Sequence, residues 1–330
     1  MKQDNRIYED IITNEFCKKN VLVIGDLMVD EYITGRVNRI SPEAPVPVLN
    51  YKERTLEAGG ASNVAHNIYG LGATVSISGT ADEDEAGMWL RKHFNNMGIH
   101  TEGIIAQRGK PTTIKTRYAT KGQQLLRVDN EDISEITEET QNSILDFLNS
   151  NIKNLDVVVL SDYKKGVLNN GKFVQDIIKI CNRNNVLVTI DSKSRNIAAF
   201  KGVDFVKPNN LELEEAVGIK IEDDESLNQA GRIYLNKSQA KALIVTRGSK
   251  GISVFLPEKN RKDYPAKDVQ VYDVCGAGDT VISTISLALA SGIDLGDSVG
   301  LANLAAGVVI SKVGTVAISS EELLRSINEK

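Results

Sequence analysis

Apolar positions along this chain switch between two periods. Ile7, Ile11, Ile12 and Phe16 recur at helical spacing, so residues 5–18 read as an amphipathic helix. VLVIGD (21–26) is a β-branched run ending in Gly-Asp, the pattern of a buried strand. RISPEAPVPVLNY (39–51) follows, and its three prolines within six residues exclude a helix and a central strand, leaving an edge strand or flap. GGASNVAHNIYGLG (59–72) reads as a glycine turn and then a helix that stops at Gly70 or Gly72. TVSISG reads as a strand, DEAGMWLRKHFNNMG as a helix and TEGIIA as a strand. TTIKTRYAT and QQLLRVDN both alternate and are separated by Lys-Gly, which signals a hairpin.

Beyond Glu131 the order is cleaner. Helices are expected over 138–150, 171–183, 225–236, 279–291 and 297–311, with a short one at NLELEEAVG. Strands are expected over 156–162, 186–191, 203–209 and 242–248, with GISVFL after the last. Buried strands alternating with helices imply a parallel, helix-covered α/β sheet. The flap and the hairpin interrupt that order and could form a small subdomain. In such sheets ligands sit at the carboxyl ends of strands. Asp26, Asp30, Asp162, Asp191, Lys193, Lys207, Asn209 and the stretch from Thr246 to Gly248 occupy those ends.

Composition adds exclusions. With 330 residues, 41% hydrophobic and 25% charged, the chain can bury a large core without disulfides. A net charge of −5 and scattered basic residues argue against a nucleic-acid partner. Cys17, Cys181 and Cys275 are far apart and form no CxxC, which fits a reducing cytoplasm better than a disulfide or zinc framework. No apolar run approaches the roughly 18 residues of a membrane span, and the N-terminus lacks a signal-peptide pattern.

DVCGAGDTVISTISLALASG (273–292) is the most chemical segment. There is no GxxxxGK[ST] loop and no GxGxxG after a strand. Gly276, Ala277 and Gly278 would instead present backbone amides of a helix start to an anion. Asp279 beside them would repel a phosphate. It suits a base that takes a proton from a hydroxyl attacking one. The plain alternative is an N-cap behind a glycine turn.

DVCGAGD, GGASNVAHNIYGLGA, KPNNLELEE and VTRGSKG, in their order along the chain, resemble the signatures of the ribokinase-like (PfkB-type) sugar kinases over roughly residues 20–318. The resemblance implies a three-layer αβα domain with a mainly parallel sheet and a small β lid. Residues 1–330 would form one kinase domain, with the lid at about 31–53 and 111–129. It implies ATP and Mg²⁺ as cofactors, often a potassium ion under the signature loop, and a homodimer paired through the lid. RISPEAPVPVL, QQLLRVD and SDYKKGVL further resemble the branch acting on D-glycero-β-D-manno-heptose 7-phosphate, on the route to lipopolysaccharide core heptose. His66, His93 and His100 form no HxGH, so the expectation is the stand-alone kinase rather than a fusion with an adenylyltransferase. Another sugar, such as fructose 6-phosphate or ribose, and a non-catalytic sugar-binding protein are the alternatives.

Carried over residue by residue, the resemblance makes Asp279 the base and 276–279 the anion hole. Asp30, Gly59, Gly60 and Asn63 would hold the sugar. Lys115, Arg117, Arg127 and Lys193, with Arg39 in the flap, would take its phosphate, since arginine suits bidentate phosphate contact. Asn209, Asn210, Leu211, Glu212, Thr246, Gly248, Gly251, Asn303 and Gly314 would surround the nucleotide, with Glu212 reaching Mg²⁺ through water. Cys275 stands where the family has threonine, DSKSRN replaces a DPKG-type segment, and Asn210 replaces a leucine. Trp89, Phe94 and Met97 read as core.

Overall fold

The computed structural model describes residues 2–120, 123–312, 314 and 316–328. The Lys-Gly turn expected at 121–122 therefore lies outside the described residues. The first half runs α1 (Lys2–Asn14), β1 (Asn20–Gly25), β2 (Leu27–Ile40), β3 (Pro47–Gly60), α2 (Ala61–Gly70), β4 (Thr74–Thr80), α3 (Glu85–Met97), β5 (His100–Ile105), β6 (Thr113–Thr120) and β7 (Gln123–Asn130). The middle runs α4 (Glu138–Asn151), β8 (Val157–Asp162), α5 (Gly171–Arg183), β9 (Leu187–Ser192), β10 (Phe205–Val206), α6 (Asn210–Val217) and α7 (Asp224–Ser238). The last part runs β11 (Ala242–Thr246), β12 (Ile252–Phe255), β13 (Lys262–Tyr264), α8 (Ala277–Ala290), α9 (Leu295–Ile310) and α10 (Ser320–Asn328).

Nine strands form one sheet in the order β13-β12-β11-β10-β9-β8-β1-β4-β5. It is parallel from β11 to β5, and β12 and β13 add antiparallel at one edge. Alternate side chains of each strand feed opposite faces, which explains the apolar runs. Val21, Val23, Val75 and Ile77 pack with Ile68 of α2, Phe94 of α3, Ile282 of α8 and Leu301 of α9. Leu22, Ile24, Val158 and Ile190 pack with Leu148 of α4, Ile177 of α5, Leu213 of α6 and Tyr234 of α7. Three layers, helix–sheet–helix, result. Phe94 is buried and Trp89 and Met97 pack against the same core, with Trp89 stacked on His93 at 4.7 Å between ring centres.

A second sheet has the order β3-β2-β6-β7, with β2 and β6 parallel and the outer pairs antiparallel. Its first segment, from Leu27 to Gly60, is wider than the expected 31–53, while β6 and β7 lie close to the expected 111–129. β1 passes into β2 with only Asp26 between them, and β3 runs on to Gly60, so Gly59 and Gly60 end a strand rather than form a free turn. The prolines sit where β2 gives way to β3: Pro42 and Pro45 fall in the connection, and Pro47 opens β3. Proline at a strand's first residue leaves no ladder donor missing. Three further boundaries differ. The first helix is α1 plus a separate turn at Phe16–Lys18, and only Phe205–Val206 of 203–209 pairs as a strand. β13 is only three residues long, and α10, whose Leu323 and Ile327 stand one helical turn apart and are buried, lies beyond the expected elements.

Candidate active site

Strand ends and two helix starts converge on Asp279. The signature loop turns at Gly276, which holds φ 78° and forms the N-cap of α8 without a side-chain cap. Asp279 therefore does not cap its helix. It lies in the first turn, 5% exposed, and both its oxygens are taken. Asn63 Nδ2 donates to Oδ2 at 2.7 Å, and the Tyr163 hydroxyl donates to Oδ1 at 2.6 Å. Burial pushes the carboxyl up to about 6, against the pull of those two donors, and the charge of Asp191 adds to the rise. Asn63 is placed by Asn67, whose Nδ2 donates to the Asn63 carbonyl at 2.9 Å and whose Oδ1 accepts from Thr280 at 2.8 Å. α2 and α8 are thus tied together behind the carboxylate.

On one side of Asp279 lies a cavity of ≈ 590 Å³. Asp30, Gly59, Gly60 and Asn63 form one wall, and Lys115, Arg117 and Arg127 of the smaller sheet another, with Lys193 beside them. A Cβ on Gly59 would lie 2.6 Å from Asp30 Oδ2. Gly60 holds φ 57°, and its Cβ would meet the Asp26 carbonyl at 2.6 Å, so side chains are excluded there. Arg117 pairs with Asp30 at 2.5 Å, and Arg127 with Asp129 at 2.9 Å. Lys115 reaches Asp129 and Glu131 at 3.1 and 3.3 Å. Cys275 also lines this cavity, and burial together with Asp273 pushes its thiol up to about 11, which denies it thiolate chemistry at neutral pH.

On the other side a recess of ≈ 240 Å³ is lined by Asp191, Lys207, Asn209, Glu212, Thr246 and Gly278, among others. Lys207 is buried and pairs with Asp191 at 2.8 Å. Burial opposes its charge, yet Asp191, Glu212 and Asp279 together hold the ammonium above its ordinary range. Asn209 and Glu212 form a reciprocal cap on α6: Asn209 Oδ1 accepts from the Glu212 amide at 2.9 Å, and Glu212 returns the bond at 2.8 Å. Burial and then Asp191 raise the Glu212 carboxyl. Tyr163, Lys193, Gly276 and Asp279 line both spaces. Among the described residues no three His, Cys, Asp or Glu side chains gather tightly enough to cage an ion.

The pfkB family carbohydrate kinase pattern matches residues 18–322. The chain belongs to that family. It is a carbohydrate kinase with the ribokinase-like fold. The chain is 39% identical over 315 residues to the bifunctional protein HldE of Desulfatibacillum aliphaticivorans, covering 96% of this chain and 64% of that protein. It is 40% identical over 308 residues to the HldE of Geobacter sulfurreducens, covering 93% of this chain and 63% of that one. It thus spans less than two thirds of those relatives. Ribokinase of Arabidopsis thaliana, solved with ribose and ATP, superposes with a TM-score of 0.75 at 18% identity, covering 94% of this chain and 99% of its own. Phosphofructokinase-2 of Escherichia coli, solved with potassium, gives 0.77 at 19%, covering 94% and 98%.

In this kinase the remaining sequence candidates fall around rather than inside the two spaces. Asn210 lines a separate recess with Arg247 and Asp263, and Leu211 is 62% exposed. Gly248 opens a tight turn closed by Arg247 N donating to the Gly251 carbonyl at 2.8 Å. Asn303 donates to the carbonyls of Tyr264 and Pro265, both at 3.2 Å. The Gly314 amide donates to Asp273 at 3.3 Å and so ties its loop to the signature loop. Arg39 is exposed near the far end of β2 and does not line the cavity. That end of the strand carries it away from Asp30 and from Lys115 and Arg117. No helix among the described residues is long and apolar enough to cross a membrane.

One residue escaped the sequence reading, and another serves a different purpose from the one its position suggested. Tyr163 sits in SDYKKG, a stretch that carried resemblance but whose tyrosine has no signal of its own. Asp26 is 1% exposed and accepts from the amides of Tyr163 (2.7 Å), Lys165 (2.9 Å) and Val167 (3.0 Å). It serves the backbone rather than a sugar. Asp162 supports the same loop through the Lys164 amide at 2.8 Å, and burial followed by the nearby Asp26 lifts its carboxyl to about 6.

Proposed function

We propose that this chain transfers the terminal phosphoryl of ATP to the anomeric (C1) hydroxyl of D-glycero-β-D-manno-heptose 7-phosphate, giving the 1,7-bisphosphate. The observation that carries the reading is the junction: a buried carboxylate stands where a polar cavity edged with cations meets a recess at a helix start. The roughly 40% identity to HldE proteins and the SDYKKGVL and RISPEAPVPVL segments favour the heptose branch.

In this reading Asp30 and Asn63 accept and donate to sugar hydroxyls. Asp279 takes the proton of the attacking hydroxyl as the bond to phosphorus forms and the bond to the departing ADP breaks, while the amides of 276–279 meet charge on the transferring group. Lys207 lies beside that path. Glu212 and Asp191 would supply hard oxygens to a hydrated Mg²⁺, and one or two carboxylates would suffice because the phosphates provide the rest. Bound there, the ion neutralises triphosphate charge. Asn209 and Thr246 border the phosphates, with the turn at Gly248 and Gly251, Asn303 and Gly314 further out. The chain acts as a homodimer through the smaller sheet, whose Tyr51 and Leu126 leave apolar surface exposed.

The test is ATP turnover with heptose 7-phosphate beside fructose 6-phosphate and ribose. Heptose 7-phosphate is expected to give the highest kcat/KM, and a preference for either other sugar would overturn the assignment. Arg117→Glu is expected to raise KM for the sugar phosphate by about tenfold or more while leaving KM for ATP near its original value, because a phosphate–guanidinium pair becomes a like-charge pair. Equal effects on both substrates would remove Arg117 from the sugar side.

A further inference from the structure

We infer that Tyr163 is a positioning residue for phosphoryl transfer, its hydroxyl holding Oδ1 of Asp279 ionised and aimed at the incoming sugar. The inference rests on Asp279 being the base. The hydroxyl lies 2.6 Å from Oδ1, and the ring lines both the cavity and the recess. Lys193 Nζ stands 4.2 Å from the ring centre, a cation–π contact that presses one face. The backbone cannot drift, since Asp26 accepts from three alternate amides of 163–167, and Lys164 holds φ 57°. A non-glycine residue in the left-handed region needs such over-determination.

The geometry suits one task. An ionised carboxylate offers about four lone-pair sites. Asn63 and Tyr163 occupy one on each oxygen, which fixes the plane of the group and leaves sites for a sugar hydroxyl. The charged groups acting on this carboxyl come from other elements: Asp191 of β9 raises it, and Lys207 after β10 lowers it. Glu212 of α6 acts on the tyrosine. Burial and then Asp279 push the Tyr163 hydroxyl well above its ordinary range, so it remains a donor throughout the working pH. A donor that never titrates favours the ionised base without competing for the proton it takes.

Tyr163→Phe removes one oxygen and keeps the ring. Expected are a fall in kcat of about tenfold, a sugar-phosphate KM within about twofold, and an acid limb of kcat/KM displaced to higher pH. The second ionisation of a sugar phosphate also lies near pH 6 and is common to both proteins, so the displacement reads the enzyme. Site-specific 3-fluorotyrosine, a stronger donor on the same ring, is expected to move the limb to lower pH. An unmoved limb in both variants overturns the inference, as does a change confined to KM, which would make the ring a sugar-binding wall. Asp279→Asn separates the two readings. If it retains turnover, the base assignment itself fails; if it is silent while the limb in Tyr163→Phe stays put, only the role of the tyrosine fails.

Discussion

Asp279→Asn is expected to lower kcat by about 10²–10⁴-fold with little change in either KM, the range associated with losing a positioned general base. The amide keeps the shape and can still meet Asn63 and Tyr163, so the fold should survive and the loss should be chemical. Turnover within about tenfold of the native enzyme, with an unchanged melting temperature, would return Asp279 to a structural role. The same carboxyl predicts a pH profile for the native enzyme. Its folded value of about 6 lies above the ordinary aspartate value of 3.8, so the basic form is lost as pH falls through 6. kcat/KM should therefore drop about tenfold per unit on the acid side and level off above neutrality.

The second large effect is on stability. Asp26→Ala is expected to cost about 3 kcal/mol, because three buried amides lose one acceptor at once. Urea unfolding should show a lower midpoint at unchanged slope. Turnover should fall as well, because the freed 163–167 segment carries the Tyr163 hydroxyl. An unfolding free energy within about 0.5 kcal/mol of native would mean that water replaces the carboxylate. Asp26→Asn keeps one acceptor oxygen and should cost less.

The layered sheet was legible because buried parallel strands write themselves as β-branched runs: Val157 to Leu160 and Ala242 to Val245 are buried without interruption. The helix mouth at Gly276 was legible for a local reason too, since glycine and a first-turn acid leave a short signature. What stayed hidden was long-range. Nothing around Tyr163 indicates that it meets a carboxylate 116 residues further on. Asp26 read as a strand-end ligand because an acid at that position looks the same whether it faces a sugar or three amides. Arg39 failed for a geometric reason. A strand of 14 residues carries its two ends far apart, and alternation alone does not say which end faces the site. The start of the lid was misplaced at the opposite end of that strand, because β1 and β2 are separated by a single residue and leave no loop to read.

That single residue bears on how such kinases can be recombined. Two of the four chain crossings between the large and small sheets meet at Asp26: β1 passes through it, and its carbonyl accepts from the Ala61 amide at 3.0 Å, where β3 hands over to α2. Its side chain holds the tyrosine loop. The cover and the chemistry therefore share one fastening, and a lid borrowed from a kinase of different sugar preference cannot be treated as a detachable cassette. A graft cut between residues 26 and 60 would leave the cations of β6 and β7 behind and the old loop anchored to a foreign backbone. The transplantable module is larger: it includes residue 26, the first turn of α2, strands β6 and β7 and the segment from 162 to 167, which must travel together for a changed specificity to keep its rate.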